Sequence, residues 1–236
     1  MKKAICIPLC IMLCSSFLLL CKKKSPKDDK KVIISWTEKS GLQKAPPVGN
    51  INVPFYTPKI QMRKKHIASV VRIIKQFPKC KLLIWGLGFD SKLWCSVNKN
   101  GTTIFIEDSP YWAKKISKEI ACKVVLVKYN SKLRNAMKLL KNPKALHLKM
   151  PKKILNTKFD VIVVDAPNGY NNDAPGRMKS IFMSSKLIHK NSHVFVDDYK
   201  RKVESTFANT FLKPIFGEPT VYTERLHFAH FGKRNK

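Results

Sequence analysis

Alternation constrains this chain more than any other feature. From residue 62 onward, short runs of β-branched and aliphatic residues take turns with stretches of helical periodicity. The runs fall at 81–85 (KLLIW), 102–106 (TTIFI), 123–128 (KVVLVK), 160–164 (DVIVV), 193–196 (HVFV), 219–223 and 226–231. The first five are short and nearly all apolar, as strands buried on both faces must be. Segments 109–120, 176–189 and 200–212 have helix length and period. Met62, Ile67, Val70, Val71 and Ile74 predict an amphipathic helix over 62–76, ended by Pro78. Strands alternating with helices need right-handed crossovers, and so a parallel sheet. Only Glu224-Arg225 links the last two runs, which predicts a terminal antiparallel hairpin. The expected fold is α/β, with a mostly parallel seven-stranded sheet over residues 61–236.

The first 60 residues read differently. Met1-Lys2-Lys3 is a basic start, and Ala4 to Cys21 runs 18 residues without a charge. That suits a signal peptide or a membrane anchor over 1–21. It implies a Golgi-type lumen in a eukaryote or the cell envelope in a bacterium. Residues 22–60 are Lys- and Pro-rich and read as a stalk or irregular N-terminal arm. Lys and Arg total 46 against 15 acids, a net charge of +31 spread along the whole chain. Such a field attracts polyanions: nucleic acid, anionic lipid or acidic polysaccharide. Apolar residues at 44% exclude a disordered chain. Beyond the N-terminal segment, Cys80, Cys95 and Cys122 are widely spaced and form no C-x-x-C. They suggest neither a zinc site nor a disulfide framework, and buried apolar packing is expected of all three.

Gly86-Leu87-Gly88-Phe89-Asp90-Ser91 follows the first strand and opens a helix, with Ser91 expected to cap it. The third glycine of G-x-G-x-x-G is missing, since Ser91 stands there, so the pyrophosphate fingerprint is incomplete. Glu107 lies 21 residues beyond Gly86, at the end of the second strand, where an acid can accept both ribose hydroxyls. An adenosine cofactor without pyrophosphate meets these conditions, and S-adenosylmethionine is one. Five parallel strands closed by a hairpin describe the Rossmann-like sheet of class I S-adenosylmethionine-dependent methyltransferases. Gly86, Gly88, Asp90, Ser91, Glu107 and Asp165 are the expected cofactor-binding residues. Tyr111 and Trp112 would pack on the adenine or in the core.

The most specific stretch is Asp165-Ala166-Pro167-Asn168-Gly169-Tyr170-Asn171-Asn172-Asp173-Ala174-Pro175-Gly176-Arg177-Met178. It resembles the plant cell-wall family of glucuronoxylan 4-O-methyltransferases and irregular-xylem proteins, the domain of unknown function 579. That family carries D-A-P-x-G-Y-x-x-E-A-P-G-R-M, with Asp173 here in place of Glu. Gly86-Leu87-Gly88 with Asp90-Ser91, the strand ending at Glu107, and Val194-Phe195-Val196 leading to Asp198 and Arg201 extend the match. The resemblance covers about Lys65 to Phe231. One departure is Asp197-Asp198, where the family has His-Asp, and Lys200 also replaces an expected acid.

The resemblance implies methyl transfer from S-adenosylmethionine to a sugar hydroxyl, the 4-hydroxyl of glucuronic acid in a xylan-like or other acidic polysaccharide. Such chemistry needs near-attack geometry and a proton acceptor. Asp165, Asp198 and Asp173 are the catalytic candidates. Arg177, Tyr170 and Asp197 are candidates for holding the acceptor, with Arg177 clamping a uronate carboxylate or pairing with Asp173. A cluster of acids could hold a divalent cation, though no spacing requires one. His227, in the last strand, faces either the core or the crevice, and the core is expected. Two alternatives compete. An RNA ribose 2′-O-methyltransferase would draw a Lys-Asp-Lys-Glu set from Lys64, Asp165, Lys200 and Glu224. A non-catalytic polyanion-binding module would have lost the cofactor. The N-terminal segment and the long motif argue against the first, and Gly86, Gly88, Glu107 and Asp165 against the second.

Overall fold

The computed structural model describes residues 43–44, 53, 55–224 and 226–233. The expected signal or anchor segment, 1–21, and most of the 22–60 arm lie outside the described residues.

The strands are β1 (Gln43–Lys44), β2 (Lys81–Trp85), β3 (Thr102–Glu107), β4 (Lys123–Leu126), β5 (Phe159–Val164), β6 (Ile188–Asp197), β7 (Thr220–Tyr222) and β8 (Phe228–Phe231). They form one sheet in the order β1-β7-β8-β6-β5-β2-β3-β4. Strands β2 to β6 pair in parallel, and β8 runs antiparallel to both β6 and β7. The expected sheet with its terminal hairpin is therefore present. It is extended by β1, which adds parallel to β7 from within the segment read as an arm. Val53 and Ile60, from that same segment, are buried in the core.

The helices are α1 (Lys64–Ile74), α2 (Ser91–Val97), α3 (Pro110–Ile116), α4 (Ala136–Lys141), α5 (Lys152–Leu155), α6 (Met178–Lys186), α7 (Lys202–Phe211) and α8 (Lys213–Phe216). Strand pleating sorts the side chains between two cores. Leu83, Trp85, Ile162, Val164, Val194 and Val196 pack under α6 and α7. Leu82, Ile84, Phe105, Val161, Val163 and Phe195 pack under α1 and α2. Each such side chain contributes roughly 1.5–3 kcal/mol when fully buried. A one-residue register slip would exchange the two sets, so the registers Leu82↔Thr103 and Leu82↔Val161 are strongly specified. Trp85, fully buried, keeps its polar end satisfied by donating from Nε1 to Ser184 Oγ on α6 at 2.9 Å.

The chain leaves β2 for β3 and β4 on one side, then crosses to β5 and β6 on the other. That reversal opens a crevice beyond the carboxyl ends of β2 and β5, where ligands bind in sheets of this kind.

The cysteines depart from expectation. Cys95, near the end of α2, is disulfide-bonded to Cys122, just before β4, with a Cα–Cα distance of 6.1 Å. Among the described residues, Cys80 is the free buried thiol, its pKa pushed up to about 12 by burial and by Asp160. The sequence separation of 27 spans β3, which α2 precedes and beside which β4 pairs in parallel. His227 also departs: it precedes β8 in a half-buried turn with φ 61°. Among the described residues, no helix is long and apolar enough to cross a membrane.

Candidate active site

A cavity of about 500 Å³ sits in this crevice. Its floor is the loop after β2. Gly86 has φ 115°, and a Cβ there would lie 2.9 Å from the Ala166 Cβ, so the loops after β2 and β5 meet only because this residue is glycine. Gly88 differs. A Cβ there would meet only Asp90 Oδ1 at 3.2 Å and would otherwise project into open space. The loop is braced from below: the Gly88 N–H donates to Ser91 Oγ at 3.0 Å. Ser91 is fully buried and does not line the cavity, so it supports the loop and neither caps α2 nor reaches a ligand. Asp90 does line it, accepting from Trp94 Nε1 at 2.8 Å, and burial raises its pKa.

Glu107 ends β3 and is only 4% exposed. The Leu87 N–H donates to its Oε2 at 2.8 Å and the Ser109 N–H to its Oε1 at 2.7 Å. Both oxygens are thereby aimed, and each retains a lone pair for a further donor. Burial raises the Glu107 pKa, and the two N–H groups oppose it. Two backbone donors, a glycine at the approach point and a carboxylate with spare acceptors fit a diol-bearing nucleoside. Trp112 lines the cavity beside Phe89, at 5.4 Å between ring centroids, while Tyr111 is exposed and stays outside.

The opposite wall is a charge network around Arg177, the residue that precedes α6. This guanidinium is 5% exposed. Its Nη2 donates to Asp165 O at 2.7 Å and Asp165 Oδ1 at 2.9 Å. Its Nη1 donates to Asp197 O at 2.8 Å and pairs with Asp198 Oδ2, also at 2.8 Å. Arg201 Nη1 holds the same Asp198 oxygen at 2.9 Å. Burial opposes the Arg177 charge, but Asp165, Asp198, Asp197 and Glu204 outweigh it and raise its pKa. The expected uronate clamp is therefore corrected: the fork of Arg177 is filled by protein, and it ties the ends of β5 and β6 together. Its expected alternative partner, Asp173, is elsewhere. Asp173 is exposed, lies off this cavity, and pairs with Lys132 at 2.9 Å and Arg134 at 2.7 Å. The Lys132 hydrogen bond holds its carboxyl below the usual range. Asp173 fastens the motif loop to the outside of the molecule, so it is not a catalytic candidate.

Asp165, Asp197 and Asp198 do converge on the cavity. The Asp165 side chain remains 35% exposed to it although it lies deep in the fold. Its pKa is raised well above normal by burial and then by the neighbouring Asp197, against the pull of Arg177. Asp198 has its charge taken up by two guanidiniums, which suits it to scaffolding. Tyr170 lines the cavity mouth, 80% exposed, with the Arg201 guanidinium 6.0 Å from its ring centroid. Lys64 and Lys200 are exposed and do not line the cavity, so no Lys-Asp-Lys-Glu set is assembled. Among the described residues, no group of three or more His, Cys, Asp and Glu side chains is placed to hold a metal ion.

Several lining residues carried no signal in the linear sequence: Lys59, Arg63, His66 and Asp108. Arg63 and His66 enter through α1, whose amphipathic period was legible but whose neighbours at Asp197 and Glu224 are remote in the chain.

A protein-family model described as IRX15/IRX15L/GXM matches residues 65–148 and 143–218. The chain belongs to this family. It is 36% identical over 179 residues to arabinogalactan O-methyltransferase 2 of Arabidopsis thaliana, covering 64% of this chain and 61% of that protein. To glucuronoxylan 4-O-methyltransferase 1 of the same plant it is 34% identical over 174 residues, covering 64% and 62% respectively. The chain thus spans about three-fifths of the length of these curated relatives. In fold it is similar to the crystal structure of a candidate caffeoyl-CoA O-methyltransferase from Staphylococcus aureus, with a TM-score of 0.51 and 13% identity over 74% of this chain and 85% of that one. The expected Rossmann-like class I methyltransferase fold and the family resemblance both hold.

Proposed function

We propose that this protein transfers a methyl group from S-adenosylmethionine to a sugar hydroxyl of a polysaccharide, with the 4-hydroxyl of a glucuronate residue as the finer reading. The observation that carries this is one cavity onto which Gly88, Glu107 and Asp165 converge from three strand ends. Membership of a family whose relatives are named as glucuronoxylan and arabinogalactan O-methyltransferases supports the polysaccharide acceptor.

Glu107 would hold the ribose hydroxyls, Gly86 to Gly88 would let the backbone approach, and Trp112 would face the adenine. S-adenosylmethionine, when bound, supplies an electrophilic methyl on a positively charged sulfur. The chain's own residues do the rest. Asp165, anchored by Arg177, takes the proton of the attacking hydroxyl on a carboxylate oxygen. Its raised pKa makes it a stronger base than an ordinary carboxylate. Asp197 tunes it, and Asp198 with Arg177 and Arg201 fixes its position. Tyr170 offers an exposed ring at the mouth on which a sugar face can lie. Export or membrane attachment through residues 1–21 is part of the same proposal. The Cys95–Cys122 disulfide supports an oxidising compartment.

Isothermal titration with S-adenosylhomocysteine, followed by radiolabelled methyl transfer to glucuronoxylan, tests this reading. Binding and label in the polysaccharide are expected. Absence of cofactor binding by the folded protein would overturn it.

A further inference from the structure

The cavity is lined by three arginines; Arg177 is paired through Nη1 and Nη2, with only its buried Nε lacking a partner among the described residues, and Arg201 is paired through Nη1. Arg177 and Arg201 are both paired with Asp198. Arg63 also lines the cavity, is exposed, and has no carboxylate partner among the described residues. It stands at the N-cap of α1, an eleven-residue helix with no side-chain cap and no acid in its first turn. The first intrahelical backbone bond is from the Ile67 N–H to the Arg63 carbonyl. The N–H groups of residues 64–66 have no acceptor among the described residues. Such an end carries a partial positive charge and usually recruits an acid. Here the sequence supplies Arg63, Lys64 and Lys65 instead.

A second observation comes from His66, in the same turn and on the cavity wall. It is 3% exposed, and its Nε2 has no hydrogen-bond partner. Phe228 stacks on the ring at 4.7 Å with planes 5° apart, so the imidazole is held in place. A buried polar atom left unsatisfied costs about 1–3 kcal/mol, and native structures normally supply a partner. The nearby charges are Asp197, Glu224 and Arg63, and the Glu224 charge is taken by Lys65 at 2.7 Å. An uncapped helix start, a free guanidinium and an unpartnered imidazole thus share one wall. That wall lies on the β6–β8 side, across the crevice from Glu107.

We propose that Arg63, with the first turn of α1 and His66, is the subsite that reads the carboxylate of the acceptor uronate, the role the sequence had suggested for Arg177. The inference rests on the methyl-transfer reading for its choice of a uronate. Arg63 supplies a planar fork for two carboxylate oxygens. The unbonded N–H groups of the first turn of α1 and the unpartnered His66 Nε2 are the further groups this subsite calls on. A carboxylate is also present on the amino-acid part of S-adenosylmethionine, so the test separates the two sources.

The experiment measures binding by calorimetry for wild type and Arg63→Gln. The probes are a glucuronate-substituted xylo-oligosaccharide, its carboxyl-reduced neutral counterpart, and S-adenosylhomocysteine. Wild type should prefer the charged oligosaccharide. Arg63→Gln should weaken that ligand by about tenfold to a hundredfold, the scale for a charged hydrogen bond. The neutral oligosaccharide and S-adenosylhomocysteine should change less than about twofold, within the additivity error of distant sites. His66→Phe, which keeps the stack on Phe228, should weaken the charged ligand alone. Equal wild-type affinity for the two oligosaccharides, or no affinity for either, would overturn the subsite. A parallel loss of S-adenosylhomocysteine affinity would overturn it too, assigning the site to the cofactor. Because both readouts are binding, failure of methyl transfer itself appears separately, as absent S-adenosylhomocysteine binding in wild type.

Discussion

Single residues carry most of the chemistry, and two of them make direct tests. A Cβ at Gly88 would project into the cavity, whereas one at Gly86 would strike Ala166. Gly88→Val should therefore keep the fold and lose S-adenosylhomocysteine binding by at least about a hundredfold, since close backbone approach is blocked. Circular dichroism and calorimetry on one sample check both halves. Asp165 gives a pH test. In the proposed reaction its carboxylate form is the proton acceptor, and burial with Asp197 raises its pKa. Turnover should thus rise with pH through a value above the ordinary carboxylate range. Removing the like charge in Asp197→Asn lowers the Asp165 pKa, so the acid limb should move to lower pH. A limb that stays put, or moves up, removes Asp165 as the base. Asp165→Asn should lose roughly a hundredfold or more in kcat, the usual scale for acid–base help. Glu107 and Asp165 were legible in the sequence because each ends an apolar run and so must face the crevice. Asp173 was misleading. It shares the motif with Asp165, but the Asn171 side chain folds the loop back on itself by accepting from the N–H groups of Asp173 and Ala174. That turn sends Asp173 outward to Lys132 and Arg134, a consequence of loop geometry that no spacing reveals.

Elements show the same division between local and distant information. Strands β2, β3 and β5 were legible because burial on both faces writes itself into four or five consecutive residues; β4 departs from that expectation, since as the edge strand it leaves Leu126 54% exposed. Helix 176–189 was read too long: α6 stops at Lys186 and β6 begins at Ile188, pairing with Phe159 of β5. Polar residues 189–193 hide that strand's first half. Arg177 was read as a ligand because its partners come from the ends of two other elements. Its role now yields a different expectation. Arg177→Ala leaves Asp165 and Asp198 without their shared guanidinium, and removing one partner of a buried pair costs about 3–5 kcal/mol. Urea unfolding should show this loss, while the ratio of affinities for charged and carboxyl-reduced oligosaccharides stays near the wild-type ratio in any protein that remains folded. A collapse of that ratio would restore Arg177 as the uronate clamp. The Cys95–Cys122 bond belongs to this scale as well. It links α2, which opens directly after the cofactor loop, to the start of β4. Non-reducing peptide mapping should recover this pair joined and Cys80 as a free thiol.

At the scale of the molecule, the charge of +31 and the cavity pull in opposite directions. The cavity wall holds Asp90, Glu107, Asp108, Asp165, Asp197, Asp198 and Glu224 against Lys59, Arg63, Arg177 and Arg201. A cationic surface thus encloses an acidic interior. In the proposed reaction the surface would attract a polyanionic chain, and the interior would favour a positively charged sulfonium over a second polyanion segment. The two ligands should therefore respond differently to salt. Raising ionic strength from about 0.01 M to 0.15 M shrinks the Debye length from roughly 30 Å to 8 Å. Attraction of the polymer sums over many exposed lysines at long range, so KM for a polymeric acidic acceptor should rise several-fold. Cofactor affinity, set within a few ångströms by groups such as Glu107, should change little. A short uronate-bearing oligosaccharide should fall between them, because it keeps the Arg63 contact and loses only the general field. If polymer, oligosaccharide and cofactor all share one salt slope, the surface charge plays no part in acceptor capture, and only the local subsite remains to explain any preference for an acidic glycan.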